Sequence, residues 1–344
     1  MRNPEPATTA RAPENEAVVE AARRGDKAAF ATLAERYRRE LRAYSYRMLG
    51  SYDDSEDLVQ ETLLKAWRNR ESFEGRSSLR SWLYRIATNA CLDFLASRRR
   101  RVPARSDASD TRMPPHVAWL QPYPDAELDP PAPSEDEPHS RALVKERIEL
   151  AYLVALQFLP AKQRAALILC DALDWSAKEA ASFLGMSPAA VSAALQRARR
   201  TLSADPSSRR PPPSNLGPEK QRQFLQRYVE MHERRDLEGL EELLHEDLRF
   251  SMPPEPTTYV GRGGIVRAWV DGGFGTEAFG ELRCVVTRAN RLPAVAVYRR
   301  TPGQERYLPM ALDVLRIEGE RIREITTFDL GSVRNAFGLP EALP

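Results

Sequence analysis

The chain has 344 residues, of which 42% are hydrophobic and 29% charged, and its formal net charge is only +2. That length predicts two or three domains, and the near-neutral balance excludes a chain that grips nucleic acid through overall charge alone. Cys91, Cys170 and Cys284 lie far apart and form no CxxC or Cys/His pattern. No disulfide framework, metal site or cofactor is therefore expected, and a reducing cytoplasm is.

Charge is uneven along the chain. Residues 1–101 and 141–210 are net basic and residues 102–140 net acidic, which marks domain boundaries. No apolar run approaches the ~20 residues of a transmembrane span, so no membrane contact is expected. Residues 1–15 lack the apolar core of a signal peptide and read as a disordered tail. Glu16–Leu49 then reads as helical. Phe30, Leu33, Tyr37, Leu41, Tyr44 and Met48 recur at helical spacing as a core face, and Gly25-Asp26 splits a short helix from a longer one.

Tyr52–Trp67 is predicted to be another helix. Asp53, Asp54, Glu56 and Asp57 crowd its first turn, where carboxylates suit the positive end of the dipole. Leu58, Thr62 and Ala66, with Leu63 and Trp67, give an inner face and leave Gln60, Glu61, Leu64 and Lys65 outward. The loop Asn69–Ser77 carries Phe73, Gly75 and Arg76. An aromatic and a cation there suit an unstacked base, and equally suit a loop pinned to the core. Ser78–Arg101 is an amphipathic helix through Leu79, Trp82, Leu83, Ile86, Ala90, Phe94 and Leu95. It ends in four arginines, Arg98 to Arg101, more cation than a helix end needs, which points to a polyanion.

The runs DDSEDLVQETLLKAW and FEGRSSLRSWLYRIATNACLDFLASRRRR closely resemble the second conserved region of bacterial RNA polymerase sigma factors of the extracytoplasmic-function (ECF) group. The resemblance covers nearly all of residues 16–101 and implies two partners, core RNA polymerase and promoter DNA. The polymerase clamp would be met by Asp54, Asp57, Leu58, Gln60, Glu61, Leu64 and Lys65. The −10 element would be melted and captured by Phe73, Arg76, Ser77, Arg80, Trp82, Arg85 and Asn89, with Arg98, Arg99 and Arg100 on phosphates. That division follows the logic of strand capture, in which bases leave the stack to be read and phosphate contacts fix position.

Residues 102–139 change character. Nine prolines and an acidic run, DAELDPPAPSEDEP, argue against a packed core and for a linker. Trp119, Leu120 and Tyr123 are an unusual cluster for a spacer and suggest a docked patch. In sigma factors the corresponding linker threads toward the polymerase active centre, a role the resemblance implies here beside the plain spacer.

Residues 140–203 are helical again. Leu143–Leu159 carries an apolar face ended by Pro160, and Ala161–Leu173 is a buried helix. Ser176 with Glu179 reads as a capping box for a short helix ending near Leu184. Gly185-Met186 makes a turn, and Ser187-Pro188 supplies an N-cap and a first-turn proline for a helix to Leu202. This is a helix-turn-helix, a DNA-binding unit and also a common structural one. LPAKQRAALIL and DALDWSAKEAASFLGMSPAAVSAALQRARRTL resemble the fourth conserved region of the same sigma factors, which reads the −35 element. Ser187, Ala190, Ser192, Gln196, Arg197, Arg199 and Arg200 are the residues this implies. Where that family commonly has a lysine and an arginine early in the recognition helix, this chain has Ser192 and Ala194, which would weaken phosphate anchoring.

Residues 204–217 form a second Pro- and Ser-rich linker. Beyond it, residues 218–335 read as an α+β domain. Helices cover Lys220–Glu233 and Leu237–Leu244. Strands then follow at Leu248–Met252, Leu282–Arg288, Ala294–Tyr298, Leu308–Ile317 and Arg321–Phe328, the last two joined by a hairpin at Gly319-Glu320. An antiparallel meander is expected. RYVEMHERRDLEGLEELLHEDLRFSMP, GRGGIVRAW and ALDVLRIEGERIREITTF resemble the SnoaL-like cone-shaped domains, which include cyclases, isomerases and non-catalytic members. In sigma factors such a tail is thought to act in cis, which implies contact between the C-terminal domain and the sigma domains. Candidate pocket residues are His232, Trp269, Tyr298 and Asp313, with His245 and Asp271 further candidates. Asp313 is expected on a solvated or ligand-lined sheet face, and no catalytic residue is assigned.

The sequence therefore predicts two all-α domains, the second with a helix-turn-helix, joined by an acidic Pro-rich linker and followed by an α+β cone. The function expected is that of a sigma factor and not of an enzyme. The alternative is a DNA-targeted small-molecule receptor or enzyme that uses the cone pocket.

Overall fold

The computed structural model describes residues 13–75, 78–101, 117–128, 149–204, 216–255 and 257–344. The chain divides into two compact units. Met1–Leu49 and Asp53–Pro103 form the first, and Gly50–Tyr52 and Ala104–Pro344 form the second.

In the first unit, α1 (Pro13–Arg23) packs on α2 (Lys27–Leu49), and α2 packs on α4 (Leu79–Arg101). The break between α1 and α2 falls at Gly25, whose φ of +97° suits a residue without a Cβ. Helix α3 (Tyr52–Arg68) is tied to α2 by Phe30 against Trp67, at 5.1 Å between ring centroids, and by Glu56, which takes Arg38 and Arg42. Leu41, Tyr44, Met48, Val59, Leu83, Tyr84 and Cys91 fill the core. Thr88 donates its one proton to the Tyr84 carbonyl at 2.7 Å, so Tyr44 is the donor in its 2.8 Å bond to Thr88. Burial pushes the Tyr44 hydroxyl far above its ordinary pKa and keeps that proton in place.

The second unit contains a helical segment and a sheet. The helices are α5 (Leu150–Gln157), α6 (Ala161–Leu167), α7 (Ala177–Leu184) and α8 (Pro188–Ala204). Between α6 and α7 the chain widens into a single π-turn, Ile168–Ala172. This replaces the uninterrupted helix expected to Leu173. Further on come α9 (Pro218–Arg234), α10 (Leu237–Leu243), β1 (Leu244–Ser251), β2 (Thr258–Val260), α11 (Arg262–Asp271), β3 (Glu281–Ala289), β4 (Leu292–Arg300), β5 (Leu308–Glu318), β6 (Arg321–Asp329) and the short α12 (Leu330–Val333).

The six strands form one sheet in the order β2-β1-β6-β5-β4-β3. Strands β3 to β6 make the expected antiparallel meander, but β1 lies parallel to β6, so the sheet is mixed. Periodicity alone does not reveal such a pairing, because it joins Arg249 to Glu324 across one helix and four strands. Helix α11 was also not expected, since Gly263 and Gly264 sit in its first turn and lower its intrinsic propensity. One face of the sheet, with Val295, Val297, Leu315 and Ile317, packs with Phe224, Tyr228, Leu240 and Ile265 of the helices. The opposite face presents Ala294, Ala296, Tyr298, Leu312 and Val314, all buried.

Residues Val117–Leu128 of the Pro-rich segment are ordered in this unit, with a 3-10 turn at Asp125–Glu127. Tyr123 exchanges two hydrogen bonds with Asn290, at the tip of the β3–β4 hairpin. Asp125 accepts from the Arg291 amide and from the Arg288 guanidinium. The patch expected from Trp119, Leu120 and Tyr123 is thus docked, with Leu120 and Tyr123 buried and Trp119 half-buried.

Candidate nucleic-acid interface

Helix α3 has the two faces its spacing predicts. Ser55, Val59, Thr62, Leu63 and Ala66 turn inward, while Asp57, Gln60, Glu61 and Leu64 are exposed, Leu64 to 55%. Lys65 is half-buried and pairs with Glu61 one turn earlier at 2.6 Å. Leu58 corrects the sequence reading. It is buried, because it shares the inward row with Thr62 and Ala66, and it offers nothing to a partner surface. Asp54 is half-buried and accepts from Arg98 of α4 at 3.3 Å.

In the loop and helix that follow, the residues expected at DNA separate into two sets. Phe73 is buried against Trp82, with ring centroids 5.4 Å apart. Its ring therefore pins the loop, and Phe73 as a base-capturing residue is corrected accordingly. Arg80 is also committed inside the unit, donating to Glu40 at 2.9 Å and lying over the Tyr84 ring. Arg98 is taken by Asp54 and lies 5.8 Å from the Phe94 ring. Arg85 and Asn89 remain exposed one helical turn apart, next to the half-buried Trp82. Arg76 and Ser77 lie outside the described residues, as do the side chains of Arg99 and Arg100.

The helix-turn-helix forms as its sequence dictates. The Ser176 amide donates to Glu179 Oε2 at 2.8 Å, and the Glu179 amide donates to Ser176 Oγ at 3.2 Å, closing the capping box. The Ser176 hydroxyl and amide hold the Glu179 carboxyl below the usual carboxylate range. Gly185 takes φ +59° at the turn, and Ser187 Oγ caps α8 by accepting from the Ala190 amide. Along α8, Val191, Ala194, Leu195 and Ala198 face inward. Ser187, Ser192, Gln196, Arg197 and Arg200 are exposed, and Ala190 is half-buried.

Two sequence expectations change on this helix. Ala194 is buried and packs inside the helical segment, so the departure from the family pattern that lies on the outer face is Ser192. Arg199 makes a two-pronged ion pair with Asp171 of the π-turn, at 2.6 and 3.2 Å. It braces the recognition helix. No sequence signal identified that pair, because the π-turn sets the direction of Asp171.

In the cone, His232 and Trp269 come together, with centroids 5.9 Å apart, and Tyr228 and Phe274 close around the same imidazole. His232 Nδ1 lies 3.1 Å from the Tyr228 carbonyl oxygen, an acceptor, so Nδ1 carries the proton. Burial holds this histidine below the ordinary imidazole pKa, against the opposing pull of Asp313 and the carbonyl. Asp313 is buried and not solvated. It accepts from Tyr228 at 3.0 Å and from Thr327 at 2.6 Å. Burial, then Asp313, push the Tyr228 hydroxyl well above its ordinary value, which keeps it a donor. Tyr298 lies on the opposite face of the sheet, where it donates to the Pro340 carbonyl, and is no part of this group. Nor is His245, which meets Arg323 on the strand side, and Asp271 is exposed at the end of α11.

The Sigma-70 region 2 family matches residues 33–101, the Sigma-70 region 4 family residues 149–202, and the SnoaL-like domain family residues 225–325. These matches, with the helix-turn-helix and the mixed sheet, define a sigma-70-type factor with a SnoaL-like C-terminal domain. The ECF RNA polymerase sigma factor SigG of Mycobacterium tuberculosis is 39% identical over 329 residues, covering 93% of this chain and 86% of SigG. The ECF RNA polymerase sigma factor SigM of M. tuberculosis is 31% identical, covering 52% of this chain and 77% of SigM. The crystal structure of M. tuberculosis extracytoplasmic function sigma factor SigJ shares the fold with a TM-score of 0.54, at 22% identity, covering 90% of this chain and all of that one. The chain belongs to the ECF RNA polymerase sigma factors. It binds core RNA polymerase and directs it to promoter DNA.

Proposed function

We propose that the outer face of α3, with Asp57, Gln60, Glu61, Leu64 and Lys65, docks on the polymerase clamp. Trp82, Arg85 and Asn89 of α4 capture the melted −10 strand, and α8 reads the −35 element through Ser187, Ser192, Gln196, Arg197 and Arg200. In this reading residues 16–101, 140–203 and 218–335 are the functional domains, and the chain works in the cytoplasm. The cone is a regulator in cis and not an enzyme. In support, Asp313 accepts from Tyr228 and Thr327, hydrogen bonds that account for its burial without a catalytic role.

The observation that carries the polymerase face is Leu64, a large apolar side chain exposed to 55% between Glu61 and Lys65. A partner surface that covered this side chain would remove its apolar area from water. The test is transcription in vitro with purified core polymerase. The chain should direct promoter-specific transcripts, and Leu64→Glu should lower them roughly tenfold or more with an unchanged Tm, as loss of a hot spot does. Equal transcription by the variant would remove α3 from the polymerase contact.

A further inference from the structure

Three contacts join α2 to α4 along one line. Arg80 Nε donates to both oxygens of Glu40, at 2.9 and 3.3 Å, and the guanidinium lies over the Tyr84 ring. Tyr44 meets Tyr84 edge-on, with ring centroids 5.1 Å apart. The Tyr44 hydroxyl then donates to Thr88, whose own proton goes to the Tyr84 carbonyl. Glu40 and Tyr44 are four positions apart on α2, as Arg80, Tyr84 and Thr88 are on α4, so the contacts stack like rungs between two facing stripes. The rungs are shielded from water. The Glu40 and Arg80 side chains are 11% and 17% exposed, and Tyr44, Tyr84 and Thr88 are buried.

An ion pair shielded in this way adds little net stability, because desolvation of the two charges offsets their attraction. Two apolar side chains of similar volume would hold α2 and α4 together at least as well. What the polar rungs add is direction. Apolar contact is nearly indifferent to rotation about a helix axis, whereas a guanidinium facing a carboxylate, or a hydroxyl with one assigned acceptor, is satisfied at one rotation. A buried polar group fixes register between paired helices in the same manner in coiled coils. The rotation of α4 matters because of what it carries on its other side. Arg85 and Asn89 are exposed there, beside the half-buried Trp82. Each residue step turns an α-helix by about 100°, so a slip of one position against α2 would swing Arg85 and Asn89 away from a strand held at this face. The rung residues are turned toward α2 and act through α4.

We propose that Glu40, Tyr44, Arg80, Tyr84 and Thr88 are positioning residues that lock the register of α4 on α2 and thereby set the base selectivity of the −10 contact. The proposal rests on the reading of α4 as the −10 helix and names what aims it. It is tested with the full chain, core RNA polymerase and a template library randomised over the −10 and −35 elements, with the transcripts sequenced. The variant is Glu40→Leu combined with Arg80→Leu, which removes both charges and keeps the contact apolar. Its Tm should equal or exceed that of the parent. Base preference should fall roughly fivefold or more at one −10 position at least, the low end of what a lost base contact costs. Preference at the −35 element, read by α8, should stay at the parent value. Tyr44→Phe, which removes one hydrogen bond and almost no volume, should give a smaller loss of the same kind and serves if the double variant unfolds. The lock is overturned if the −10 preference matches the parent, or if −10 and −35 preferences fall together as Tm falls. The underlying reading fails on a different arm: Arg85→Ala and Asn89→Ala that each leave the −10 preference untouched.

Discussion

His232 illustrates how one side chain links burial to a measurable property of the cone. Its imidazole is enclosed by Tyr228, Trp269 and Phe274 and is held neutral, below the ordinary value of 6.5. A base whose folded pKa is depressed binds fewer protons folded than unfolded, so stability is full above the unfolded value and declines as pH falls through it. Thermal unfolding of the cone should accordingly lose stability from about pH 6.5 downward, and His232→Gln should remove that part of the slope. An unchanged slope in the variant would place the titrating group elsewhere. At this scale the sequence was a fair guide to type and a poor one to partner. His232, Trp269 and Asp313 were named among the pocket candidates, but Tyr228, which joins the histidine to the acid, was not. Tyr298 was misplaced because its side of the sheet depends on which face the helices cover, and alternation along one strand does not say which.

At the scale of elements, capping chemistry was the most legible signal. Ser176 and Glu179 fix where α7 starts, and Gly185 and Ser187-Pro188 fix the turn and the start of α8, all from local hydrogen bonding that the sequence spells out. What local rules do not reveal is commitment between elements. Arg80, Arg98 and Arg199 look like free cations in the sequence, and each is engaged by an acid distant in the chain, Glu40, Asp54 and Asp171 respectively. This separates two arginines of one helix by experiment. Arg197→Ala should weaken binding to −35 DNA and reduce the slope of log K against log salt by about one, as loss of a phosphate contact does. Arg199→Ala should instead lower the Tm of the helical segment and leave that slope near the parent value. Equal slope changes in both variants would show that Arg199 leaves Asp171 to reach DNA.

For the molecule as a whole, two compact units predict unfolding that is not all-or-none. Urea titrations followed by far-ultraviolet circular dichroism, dominated by the helices, and by near-ultraviolet signals from aromatic residues of the cone such as Trp269 should give non-coincident transitions. A single shared midpoint would mean that the units unfold as one. The order of segments, helical, Pro-rich, helical, then α+β, was legible because composition shifts sharply at each joint. The mixed sheet was not, since a parallel pair leaves no mark in either strand alone.

That parallel pair also sets an order of events during synthesis. The helices close through near neighbours and can form as they leave the ribosome, whereas β1 waits for β6, made some seventy residues later. The strap formed by Val117–Leu128 waits longer still, with 167 positions between Tyr123 and Asn290. A nascent chain therefore carries finished helices before the hairpin that holds the strap exists, and the docked strap is among the last contacts the newly made chain completes.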